Sequence, residues 1–227
     1  MLLNVIYGGG SFGEILLELL IMVIALLPAL TFHEWAHGFA AYKLGDPTAR
    51  NLGRLTLNPI KHIDPVGFIC MILFKFGWAK PVPVNSRYYK KPRRDMALVA
   101  AAGPVANILL AFVAMILVNV FETIPVTSEM SYKILWATVN FFYTLAALSV
   151  YLAVFNLIPI PPFDGSRILY VFLPTKWYFG VMKYERYIII GFMLFIILGG
   201  SLGILSVISS FILGGMDALI SLIPIFR

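Results

Sequence analysis

The chain has 227 residues, of which 60% are hydrophobic and only 12% charged, and its mean hydropathy is +0.90. A soluble domain carries about a quarter of its residues as charges, so this composition excludes an ordinary water-soluble globular protein and makes the bilayer the natural solvent. The single cysteine, Cys70, excludes an intrachain disulfide, and the net charge of +6 has to be read by position before it says anything about partners.

Four apolar runs recur along the chain: Ile15 to about Leu44, Met96 to Phe121, Lys133 to Ile158 and Tyr187 to Leu213. Each exceeds the roughly 20 residues a helix needs to cross a hydrocarbon core. The stretch from Pro65 to Trp78 is shorter, carries Lys75 and is soon followed by Pro81 and Pro83. It is predicted as a re-entrant or short β-containing segment. The expected fold class is therefore an all-α membrane protein with about four transmembrane helices and that segment between the first and second. The expected domain organisation is one membrane domain over residues 1–227, with its core at 15–170 and a fourth span at 187–213.

Positive charge sets the expected orientation. Of 17 Lys and Arg residues, 11 lie between Lys43 and Arg94 and four between Arg167 and Arg186. The first 42 residues and the loop from Phe121 to Ser131 have none. By the positive-inside rule both basic loops are cytoplasmic, in a multi-pass protein of the cell membrane with both termini outside. The basic excess is thus a topology signal and gives no reason to expect nucleic acid, because no basic domain stands clear of the bilayer. Gly199 and Gly203 form a GxxxG spacing that allows close helix approach, within the chain or in self-association.

The first span carries His33-Glu34-Trp35-Ala36-His37. Residues four apart on a helix share a face and stand about 6 Å apart along the axis. Two imidazoles so placed can chelate one zinc, and Glu34, beside the first, can reach a metal-activated water as general base. Three ionisable side chains within a span are costly unless they have partners or a function. A catalytic zinc takes three protein ligands, so a third donor is required. Asp164 is the best-placed carboxylate. It follows the third span in NLIPIPPFDG (Asn156 to Gly165), where prolines break the helix and Gly165 is expected to permit an unusual backbone turn. A loop-capping role for Asp164 is equally compatible with spacing alone. His62, in the polar loop NPIKHID, is expected to hydrogen-bond rather than ligate. Trp78 and PVPVN (Pro81 to Asn85) suit an extended edge or an interface anchor. A membrane metal carrier could also use His and Asp at mid-membrane, but it would not need Glu34.

HEWAH in a first core helix, GPVAN (Gly103 to Asn107) in the second and NLIPIPPFDG after the third resemble the site-2 protease family of intramembrane zinc metalloproteases. NPIKHIDPVG (Asn58 to Gly67) and GWAKPVPVN (Gly77 to Asn85) are similar to its compact bacterial and archaeal members. No loop is long enough for a PDZ domain, and no regulatory domain is expected after the fourth span. The resemblance implies one zinc held by His33, His37 and Asp164, with Glu34 as catalytic base. It also implies that Asn107 lies near the metal, where its amide could support substrate or oxyanion. The implied substrates are transmembrane proteins, cut within or near their membrane segments, with membrane lipid as the surroundings.

Overall fold

The computed structural model describes residues 12–67, 70, 79–198 and 203–223. The named elements are helical: α1 (Phe12–Lys43), a short α2 (Thr48–Asn51), α3 (Pro92–Glu122), α4 (Glu129–Asn156), a short α5 (Asp164–Leu169), α6 (Thr175–Ile197) and α7 (Gly203–Ile220). Single turns of 3-10 helix, Pro59–Lys61 and Ser86–Tyr88, punctuate the connection from α2 to α3. Among the described residues four helices, α1, α3, α4 and α7, are long and apolar enough to cross a membrane. The all-helical membrane architecture agrees with the sequence expectation.

Local chemistry explains the helix boundaries. Pro92 opens α3, where its missing N–H costs nothing. Ser128 caps α4 through a reciprocal box with Ser131. α4 stops at Asn156 because Pro159, Pro161 and Pro162 cannot continue it. The helices meet through small side chains: Ala25 and Ala29 of α1, Ala111 and Ala114 of α3 and Ala146 of α4 are all essentially inaccessible. In a bilayer no hydrophobic force drives helices together, so close backbone approach across such residues supplies the packing. Leu205, Met216 and Ile220 of α7 complete the same cluster. Large side chains such as Ile24, Leu109, Val113 and Phe211 point outward, as lipid contact requires.

One boundary differs from expectation. The apolar run 187–213, predicted as a single span, is shared by two helices: α6 ends at Ile197 and α7 begins at Gly203. The first part of α6 carries Lys176, Lys183, Glu185 and Arg186, so α7 is the fourth span-length apolar helix. Gly199 lies outside the described residues, and with it the GxxxG expectation. Most of the segment Pro65–Trp78 also lies outside them. At its borders an isolated antiparallel bridge joins Ile63 to Ala79.

Candidate metal centre

Helix α1 carries His33 and His37 one turn apart, with ring centroids 4.6 Å from each other and ring planes nearly perpendicular. Asp164 arrives from the other side as the first residue of α5. Its Oδ2 lies 3.1 Å from His33 Nε2 and 3.2 Å from His37 Nε2. The three donor atoms all fall within 4.8 Å of one another. Their side chains are 7%, 11% and 20% exposed, so the cluster is sheltered yet open on the Asp164 side.

Two glycines make this approach possible. A Cβ on Gly103 of α3 would sit 2.5 Å from His37 Nε2 and 2.7 Å from His33 Cε1, so only glycine lets α3 pass this close to both rings. Gly165 was expected to permit an unusual backbone turn; among the described residues the positive-φ glycines are Gly45 and Gly53. The need at Gly165 is steric. A Cβ there would run into the backbone carbonyls of Leu157 and Ile158 at the end of α4, so glycine lets α5 pack against that end and present Asp164.

Each imidazole is held from behind. His37 Nδ1–H donates to the carbonyl of Val99 at 2.7 Å, which leaves Nε2 as the lone-pair nitrogen. Asn107 is fully buried, with its amide nitrogen 3.3 Å from His33 Nδ1 and its Oδ1 without a partner. Turning that amide end for end lets Oδ1 accept from an Nδ1–H, which frees His33 Nε2 in the same way. Asn107 therefore meets the His33 ring and does not line the cavity in front of it. His62 is buried away from the cluster, where its Nε2 pairs with the carbonyl of Thr56 at 2.7 Å, a hydrogen-bonding role of the expected kind.

A cavity of about 610 Å³ opens onto the three donors. Glu34, Val82, Met96, Asn156, Arg93 and Arg167 contribute to its wall. Glu34 Oε2 accepts from the backbone N–H of Val82 at 2.8 Å. Sequence reasoning assigned no role to Asn156, and the partners Val99 and Val82 act through backbone atoms, which leave no trace in residue type.

The model of peptidase family M50 matches residues 21–199. The chain belongs to this family. Among its relatives, YwhC of Bacillus subtilis (strain 168), named as a candidate zinc metalloprotease, is 43% identical over 177 residues, 78% of each chain. MJ0611 of Methanocaldococcus jannaschii, named in the same terms, is 30% identical over 181 residues, 79% of this chain and 82% of the relative. Rip2 of Mycolicibacterium smegmatis, also so named, is 33% identical over 150 residues, 64% of this chain and 54% of the relative. No solved structure matches. This M50 member is accordingly a metalloprotease embedded in the membrane, with zinc as its cofactor. The donor set fits that ion. Tetrahedral zinc with bonds of about 2.0–2.1 Å separates its ligand atoms by roughly 3.3 Å. The contacts of 3.1 and 3.2 Å from Asp164 to the two histidines are close to that spacing.

Proposed function

We propose that this M50 member is an intramembrane endopeptidase that hydrolyses peptide bonds within or near transmembrane segments of other membrane proteins. His33, His37 and Asp164 hold the zinc and Glu34 is the general base. The observation that carries the reading is the convergence of three metal donors and one further carboxylate on a cavity set between span-length helices. When bound, zinc supplies Lewis-acid chemistry: it polarises oxygen and eases deprotonation of water. Glu34 takes the proton of the attacking water, whose oxygen bonds to the peptide carbonyl carbon. The C–N bond then breaks, and Glu34 returns the proton to the departing nitrogen. Val99 and Asn107 keep each Nε2 turned toward the metal, and the Val82 N–H holds one oxygen of Glu34 so that the other is left for the proton.

A substrate helix locks its carbonyls in its own hydrogen bonds, so a segment must unwind before attack. Glycine, asparagine or proline in the substrate span favours that step. The test is purified protein co-reconstituted with single-span reporter proteins carrying such breakers. Cleavage should occur with zinc present and stop when a chelator strips it. Chelator-resistant cleavage would sink the reading.

Orientation follows from the charges. The loop before α3 and the loop before α6 should both face the cytoplasm. Cysteines introduced by Asn51→Cys and Lys176→Cys, with Cys70→Ala to remove the native thiol, should both label from the inside of sealed vesicles. Labelling of both from outside overturns the orientation. Labelling from opposite sides overturns the number of crossings between them.

A further inference from the structure

The stretch Lys80-Pro81-Val82-Pro83-Val84-Asn85 runs extended along the cavity wall, yet no sheet holds it among the described residues. Pro81 and Pro83 have no N–H to give, so ladder pairing along this stretch would be broken at two positions. Side chains take the place of a neighbouring strand. Arg54 Nη2 donates to the carbonyls of Lys80 at 2.8 Å and Pro81 at 3.2 Å. At the far end Asp46 Oδ2 accepts from the N–H of Asn85 at 2.6 Å. Asp46 is wholly inaccessible and is itself fixed, since its Oδ1 accepts from the Thr48 N–H at 2.9 Å and from the Thr48 hydroxyl. Between these two anchors lies the N–H of Val82, and that group donates to Glu34.

We propose that Arg54 and Asp46 are positioning residues for the reaction: they clamp the 80–85 strap at both ends so that the Val82 N–H sets the carboxylate of Glu34. The inference rests on the reading of Glu34 as general base. Neither residue touches the metal donors, and neither lines the cavity. Their effect passes through the backbone of the strap. A buried carboxylate with three donors and a guanidinium spanning two carbonyls are strong, directional anchors. They suit a segment that must hold one N–H in place beside a cavity.

The experiment uses the full-length, zinc-loaded protein with Arg54→Gln and Asp46→Asn. Glutamine removes the guanidinium that bridges both carbonyls. Asparagine keeps an acceptor for Thr48 but turns a donor NH₂ toward the Asn85 N–H, so two donors face each other. Zinc should stay at the wild-type ratio, because the three donors are untouched. Turnover of a single-span reporter should fall about 10- to 100-fold, with KM moving less than about threefold, as displacement of a catalytic group by about 1 Å predicts. Arg54→Lys retains one donor and should recover part of the lost turnover. Hydrogen exchange over residues 80–86 should speed up in Arg54→Gln and Asp46→Asn, and this measurement needs no substrate. Unchanged exchange there, or wild-type turnover in both variants, overturns the proposal. So does loss of zinc in step with loss of turnover, which would make the two residues supports of the metal cluster instead. Failure of the general-base reading has a separate signature, wild-type turnover in Glu34→Gln, which the exchange measurement does not share.

Discussion

Glu34→Gln should hold its zinc and lose about a thousandfold or more of its cleavage rate. The size follows from what general acid–base catalysis contributes, about 10²- to 10⁴-fold, and Glu34 serves both proton transfers. Glutamine matches glutamate in size, and its amide oxygen can still accept from the Val82 N–H, so the strap and the cavity wall should keep their places. The three proposed zinc ligands are other residues, so metal content should not change. What disappears is a carboxylate able to take a proton from water. The measurement is paired: zinc per chain by elemental analysis, and cleavage of a reconstituted single-span reporter under single-turnover conditions. A variant that holds zinc and cuts at the wild-type rate would remove Glu34 from the mechanism. A variant that moves metal across the bilayer as the wild type does, where neither cleaves, would favour a carrier instead.

Part of the candidate metal centre was legible because it is local. His33 and His37 are four residues apart on one helix, and helix geometry alone places their rings together. Asp164 was different. Spacing left it balanced between a metal ligand and a loop cap, and the resemblance to site-2 proteases favoured the ligand. The structure brings its Oδ2 to both histidines. The supports behind the candidate ligands were mostly illegible for a physical reason. Val99 and Val82 act through a carbonyl and an N–H that every valine has, so their side chains announce nothing. Arg54 was counted among the charges that set topology, and Asp46 was one carboxylate among several. Their pairing with the strap depends on a fold in which residues about 26 to 39 apart meet. Asn107 was expected near the metal, where its amide could support substrate or oxyanion, and its amide lies beside His33. Of the four spans, three were recognised as single helices. The fourth run, 187–213, falls on two named helices, α6 to Ile197 and α7 from Gly203.

Asp164→Ala should give the opposite metal result and a similar loss of cleavage. Deleting this side chain leaves two nitrogen ligands one helical turn apart, one donor short of a three-ligand catalytic site. Loss of a residue that merely supports a ligand costs about 10- to 100-fold in metal affinity, so loss of a ligand should cost more than that. Zinc content should therefore drop well below one per chain after dialysis, and a competing chromophoric chelator should win the metal at lower concentration than it does from the wild type. The fold should survive, since the Asp164 side chain is partly exposed and the α1–α3–α4 packing cluster lies elsewhere. The neighbouring Gly165, which allows α5 to pack on the end of α4, is left in place. Asp164→Asn separates charge from shape: it offers one neutral oxygen in nearly the same position, so its zinc affinity should fall between those of the wild type and the alanine variant. Together with Glu34→Gln, the three variants divide the site into its parts. Cleavage lost with metal retained marks the base, and cleavage lost with metal marks the ligand. Full zinc retention in Asp164→Ala would take Asp164 out of the coordination sphere, and the third donor would then have to be sought among the other residues that line the cavity.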